Sequence, residues 1–231
     1  MPRPREPASP FRYFISSPEV IRLVVLMYVR FPLSLRNVED LPFERGIDIC
    51  HETARLRWNR FGPMFAGEVQ RKRVCRMRGL RHWRWHLDQR YAKLNDEMVY
   101  LWRAVDHEGE VLESYIIKTR DKAAALSFMK KALKRHGSPE TITTDGLRSC
   151  CAAMNELGNC EKQEVGRRAN NRVENSHLPF RRRKSAMLRF RRVKTLQKFA
   201  SVHANIHNHF QPGTSPSQPR DLQGTPLSCL G

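Results

Sequence analysis

The stretch "ETITTDG", residues 140–146, is where the fold can be read. Its threonines and isoleucine are β-branched and favour a pleated strand, and it halts at an acid and a glycine, which tolerate tight turns. Alone it admits two readings, a hairpin turn or a strand end that presents the Asp145 carboxylate to a ligand. Upstream, "KTRDKAAALSFMKKALKRHGSP" (118–139) predicts a helix from an N-cap at Thr119 to Gly137. Leu126, Met129 and Leu133 mark its buried face, and Pro139 prevents its return. Before it, "EMVYLWRAV" (97–105) and "VLESYIIK" (111–118) read as strands joined by the turn "DHEG", after a further strand near 83–94. Three meander strands, a crossover helix and a strand parallel to the sheet make a mixed α/β domain flanked by helices. Open α/β sheets place ligands beyond the carboxyl ends of their strands, so Asp145 reads as ligand-facing.

Two other acids stand out. "RWHLDQRY" (84–91) puts Asp88 inside a strand expected to be central and buried, where a carboxylate is costly unless paired or bound to a cation. "RRANNRVENSHLPFRRRK" (167–184) puts Glu174 on a helix among Arg and Asn. An ion pair would explain Glu174 alone. Together, two strand aspartates and a helical glutamate are the hard-oxygen donor set of a two-metal phosphoryl-transfer site, with Mg²⁺ ions roughly 4 Å apart. Asp106 and Asp121 need no such role, because a turn and a helix first turn account for them.

The formal net charge is +19, from 42 Lys and Arg against 23 Asp and Glu, which points to a polyanionic partner. A membrane is the weaker choice, since the apolar run "LVVLMYV" (23–29) is too short to span a bilayer and the N-terminus does not read as a secretory signal. The expected place is the cytoplasm. Six cysteines without CxxC spacing read as reduced thiols. His203, His207 and His209 include an i, i+4 pair that could bind metal on a helix, but no companion Cys or Glu motif accompanies it, so a zinc site is the weaker reading.

Five segments are expected. Residues 1–17 form an arm, and 18–64 hold three helices (18–31, capped by Ser17; 34–45; 49–61) around the turn "ERGID". A helix-turn-helix is one reading, its last helix carrying Arg55, Arg57 and Arg60 to a DNA groove; a plain helical bundle with a charged face is the other. Pro42 predicts a kinked or shortened second helix. Residues 65–82 form a basic linker with Arg71, Lys72 and Arg73 along phosphates, and Trp83 and Trp85 enter the domain at 83–210. Arg181, Arg182, Arg183 and Lys184 form a second phosphate-binding run. Residues 211–231, rich in Pro, Gly, Ser and Gln, are expected to be disordered.

The ordered set "WRWHLD", "MVYLWRAVDHEGEVLESY", "KTRDKAAALSFMKKALKRHGSPETITTDG" and "NNRVENSHLPFRRRK" resembles bacterial insertion-sequence transposases of the DDE type, in the insertion sequence six family, over about residues 11–210. The resemblance implies a ribonuclease H-like core with the metal-holding catalytic triad Asp88, Asp145 and Glu174. It implies two Mg²⁺ ions, with Mn²⁺ as a substitute. The expected partners are double-stranded DNA, as element terminal repeats and target, and a homodimer or larger assembly of the chain on it. Asn170, Asn171 and His177 fall on the Glu174 face of a helix and are candidates to orient it or to touch DNA, or simply cap and solvate the helix. Pro179 argues against an unbroken helix through Arg183.

This chain departs from the family in three places. Only 28 residues separate Asp145 from Glu174, Gln89 and Arg90 put polar groups on both faces of the first strand, and the Pro/Gly-rich tail replaces a charged helix. An impaired remnant that only binds DNA is therefore the competing expectation, and a cellular nuclease is a third.

Overall fold

The computed structural model describes residues 9–76, 84–166, 171–187 and 190–210. Trp83, Asn170, the linker beyond residue 76 and the tail from 211 lie outside them. Three helices open the chain: α1 (Pro18–Arg30), α2 (Leu35–Phe43) and α3 (His51–Arg76). Ser17 caps α1 through its hydroxyl, which accepts from the Val20 N–H, and Ser34 and Asn37 form a capping box on α2. α2 is short, as Pro42 suggests, ending one residue beyond it.

α3 corrects the sequence reading. It runs 26 residues, past the expected end at 61 and through the expected linker start at 65. Gly62 and Pro63 do not break it, for two reasons. The Trp58 ring lies over Gly62 so closely that an added Cβ would come within 2.6 Å of it. Pro63 cannot bond the Asn59 carbonyl, and Lys198 fills that place by donating to it at 2.7 Å.

Five strands follow: β1 (Arg84–Leu94), β2 (Glu97–Asp106), β3 (Val111–Ile117), β4 (Thr141–Thr144) and β5 (Gln163–Val165), in the sheet order β3-β2-β1-β4-β5. β1–β2 and β2–β3 pair antiparallel, while β4 pairs parallel with both β1 and β5. Asn95 and Asp96, both at positive φ, make the two-residue β1–β2 hairpin. β5, three residues long, was not anticipated from sequence. β1 pairs with β4 only over Arg84–His86, so its far half, from Arg90 on, has β2 alone as neighbour and is largely exposed. That is why the sheet accepts Arg90 there.

The crossover helix α4 (Lys122–His136) is capped by Asp121, not Thr119, with the carboxylate accepting from Ala124 N–H at 2.7 Å. Its buried face is Ala124, Ala125, Phe128, Met129 and Ala132; Leu126 and Leu133 pack at the margin. With α5 (Arg148–Glu156) it covers Trp85, Leu87 and Trp102 on one face of the sheet. The other face is covered by α6 (Asn171–Ala186) and α7 (Val193–Phe210). Pro179 does not interrupt α6, contrary to the sequence reading. Ile21 and Val25 of α1, Phe61 and Phe65 of α3, Leu196 and Phe199 of α7, and Leu101 and Ile116 of the sheet share one core.

α7 also closes the β3 edge. Asn208 accepts from Val111 N–H at 2.9 Å and donates to its carbonyl at 2.8 Å, while Gln197 accepts from Ile116 N–H and donates to the Ser114 carbonyl. Two amide side chains thus stand in for a missing strand. Replacing Asn208 by Leu strands the buried Val111 N–H, while the Val111 carbonyl keeps Arg73 as a donor, and urea denaturation should show a loss of roughly 1–3 kcal/mol.

His203 and His207 stack in the α7 interior, close to Arg103, Arg183 and Arg30. Burial holds both imidazoles down, with Arg103, Arg183 and Arg30 adding to it at His203 and Arg30 and Arg103 at His207, which falls to about 4 from its ordinary 6.5. Above pH 6.5 neither state takes the proton; below it the unfolded chain does and the folded chain does not, so stability falls with pH down to about 4. His207 should cost about 1.4 kcal/mol per pH unit in that window, with His203 acting in the same direction, read from denaturation midpoints at pH 7 and pH 5.

Candidate active site

The β1–β4 register places the first two acids. His86 pairs with Thr143 in parallel, and continuing that register by two residues sets Asp145 beside Asp88 on the same face of the sheet. Residues Trp85 and Leu87 point to the α4 and α5 core, so His86, Asp88 and Arg90 point to α6 by the two-residue alternation. The turn after β4 explains the Asp-Gly pair. Asp145 Oδ1 accepts from Leu147 N–H at 3.2 Å at the start of α5, and Gly146 adopts φ +81°, where a Cβ would meet Val165 of β5 at 2.8 Å. The turn and the exposed carboxylate are therefore one device.

Asp88 is buried. Desolvation pushes its carboxyl up, the charge of Asp145 adds to that, and Arg90 together with the Gln89 N–H pull it back. The net shift is upward. Glu174 comes from the first turn of α6, whose N-terminal dipole favours an anion. Arg90 joins the two acids: its Nε lies 3.1 Å from Asp88 Oδ2 and its Nη2 3.3 Å from Glu174 Oε1. His177, one turn beyond Glu174, is buried and held neutral by desolvation and by Arg103 and Arg90, with Nε2 3.5 Å from Asp88 Oδ2. Asn171 is exposed at the start of α6.

Arg103 is a site-supporting residue that sequence reasoning missed. It sits opposite Asp88 in the β1–β2 register, is buried, donates to the Ser176 carbonyl and lies over the Phe180 ring, tying α6 to the sheet. Burial brings its guanidinium down to about 9. Arg90's place on the Asp88 face was open to view from strand alternation; nothing in the sequence aligned Arg103 with Asp88.

Three expected DNA contacts turn inward. Arg57 is buried and donates to the Ser16 hydroxyl. Arg73 pairs with Glu110 and donates to the Val111 carbonyl at 3.1 Å. Arg183 is buried against Tyr28, donating to its carbonyl with the ring 4.3 Å away. Helical periodicity sends these positions to the core, whatever their charge. Arg55, Arg60, Arg71, Lys72, Arg181 and Arg182 remain exposed, and Lys184 is half-buried, reaching the Lys93 carbonyl at 3.3 Å. Arg90, Glu174, Asn175, Arg181 and Lys184 line a pocket of about 290 Å³ beside the acids.

The donors are carboxylate oxygens, which suit Mg²⁺ in kind. Among the described residues no three such side chains already converge as a metal cage, and the Arg90 guanidinium lies between two of the acids.

This strand order, with helices on both faces and acids on β1, after β4 and on α6, defines a ribonuclease H-like protein. Residues 82–212 match the family described as the DDE domain. The Staphylococcus aureus transposase for insertion sequence-like element IS431mec is 29% identical over 201 residues, 84% of this chain and 87% of that one. The S. aureus transposase for insertion sequence element IS257 in transposon Tn4003 is 28% identical over the same coverage. An uncharacterised protein of Methanocaldococcus jannaschii is 33% identical over 186 residues, 80% of each chain. The chain belongs to the DDE-domain family of bacterial insertion-sequence transposases. Among solved structures, the HTLV-2 integrase catalytic core domain in complex with magnesium is 18% identical, covering 42% of this chain and 66% of that one at TM-score 0.35. The BIV integrase core is 14% identical, covering 54% and 81% at TM-score 0.37. At these scores the likeness adds nothing to the strand order.

The two arginines that neighbour each other on α6 should behave oppositely. Arg183→Met should lower the urea midpoint and leave the salt dependence of DNA binding alone. Arg182→Ala should spare stability and reduce the slope of log affinity against log salt by about one.

Proposed function

We propose that Asp88, Asp145 and Glu174 are the catalytic acids of a transposase that cleaves DNA at insertion-sequence ends and transfers the freed strand into target DNA. The observation that carries this reading is the β1–β4 register, which brings Asp88 alongside Asp145, with Glu174 joined to Asp88 through Arg90. Two divalent cations, Mg²⁺ or Mn²⁺, held by these three carboxylates would supply charge neutralisation at the reacting phosphate and a more acidic attacking hydroxyl.

The chain's own side chains do the rest. Asp88, buried and fixed in the sheet, sets the position of the centre, and Asp145 is aimed by its turn. Glu174 stands on a helix that Arg103 and Phe180 hold against the sheet, so the third acid keeps its distance from the other two. Neutral His177 packs behind Asp88 without adding charge. Cleavage and strand transfer are both in-line displacements at phosphorus, first by water and then by a DNA 3′-hydroxyl, and one site serves both.

Exposed Arg55 and Arg60 on α3, Arg71 and Lys72 further along it, and Arg181, Arg182 and Lys184 on α6 are proposed to hold duplex DNA, with residues 18–64 as the helix-turn-helix module. Two element ends require two active sites, so a homodimer or larger assembly on DNA is part of the proposal. The alternative, a remnant that binds DNA without cutting it, draws on the guanidinium already seated between two of the acids.

Purified full-length protein with Mg²⁺ or Mn²⁺ should nick a labelled duplex taken from the DNA that flanks its own gene. Asp145→Asn and Glu174→Gln should abolish nicking while duplex binding persists. Binding without metal-dependent nicking by the parent would establish the remnant instead. Binding should weaken by about a thousandfold between 50 and 200 mM salt for some six phosphate contacts.

A further inference from the structure

Arg90 has no part in the reaction as described, yet it bonds two of the three acids. It occupies Asp88 Oδ2 and Glu174 Oε1, so a divalent cation held by these two carboxylates would have to share them with the guanidinium charge. Guanidinium and metal ion therefore compete. Asp88, with its side chain only 6% exposed, needs a cation beside it to stay charged, and in the free protein Arg90 supplies one. Arg90 is itself 49% exposed, on the part of β1 that has outrun β4, so water can replace its contacts when it leaves.

It also has somewhere to go. The pocket it borders carries Arg181 and Lys184 on its wall, a cationic recess suited to the phosphate of a DNA strand. A phosphate seated there would offer the planar guanidinium two oxygens at once, in a pocket that Arg90 itself lines. The hinge of the exchange is a flexible side chain, so the backbone need not move.

We propose that Arg90 is a clasp that holds Asp88 and Glu174 together in the free protein and passes to a DNA phosphate when duplex binds, so that the divalent-metal site opens only on DNA. The inference rests on the assignment of these acids as the catalytic set. Its consequence is that the protein without DNA carries a closed, metal-poor centre, and stray hydrolysis before the ends are assembled is suppressed.

Mn²⁺ binding to the full chain, followed by electron paramagnetic resonance of the free ion, tests this without any activity assay. Without DNA, Arg90→Gln should bind Mn²⁺ about tenfold more tightly than the parent, and Arg90→Lys should stay near the parent. Arg90→Thr, a strand-favouring residue, repeats the measurement should the glutamine variant fold poorly. Adding an arbitrary-sequence duplex, with its own Mn²⁺ uptake subtracted, should tighten the parent by a similar factor and leave Arg90→Gln nearly unchanged. Equal affinities for parent and Arg90→Gln without DNA, or equal gains from DNA, would overturn the clasp. Asp145→Asn in each background separates the two levels: Mn²⁺ binding indifferent to it would mean that the ions sit elsewhere, and the catalytic assignment falls together with the clasp.

Discussion

Three residues of parallel pairing, Arg84–His86 of β1 against Thr141–Thr143 of β4, govern most of what this protein is. Their register, continued two residues, puts Asp145 just past β4 level with Asp88, and their parallel sense forces the chain between β3 and β4 to cross one face of the sheet as α4. α4 and α5 then take that face, leaving the other for α6 and α7. The acids emerge on the α6 side because side chains in a strand alternate and Trp85 and Leu87 claim the α4 side. A register slip of one residue would turn Asp88 into the apolar core under α4 and α5.

The positive charge of the chain is divided between two tasks. Arg57, Arg73, Arg103 and Arg183 are internal struts, each donating to a hydroxyl or a backbone carbonyl of another element. Arginine suits this work because its guanidinium keeps its charge over a wide range, spreads it over a plane and stacks on rings such as Phe180 and Tyr28. Only the exposed remainder is available to phosphates. A count of basic residues therefore overstates the DNA-facing charge.

α7 links the parts. Its amides close the β3 edge, its aromatic face meets Trp58 of α3 through Phe199, and Lys198 reaches the carbonyl freed by Pro63. The N-terminal helices consequently share a core with the sheet. The continuous α3 carries that connection past the point where the sequence suggests a linker.

The sequence by itself determined the order of the four longer strands and their bounds within a residue or so, α1, the helix end at Gly137 and the shortening of α2 at Pro42, because these rest on alternation, capping and breaker residues that act locally; the family came from the ordered motifs. It also singled out Asp88 and Asp145, since a buried strand position and a strand end made a carboxylate costly or useful, and put Glu174 on a helix beside them only through the ordered motifs. Only the tertiary structure decided that α3 and α6 run through their prolines, because neighbouring groups, not the proline, set that outcome. Only it decided which arginines turn inward, that Arg103 lies opposite Asp88, and that Arg90 spans Asp88 and Glu174. Those are contacts between residues far apart in the chain or across a strand register, and no local pattern of side chains encodes the distance between them.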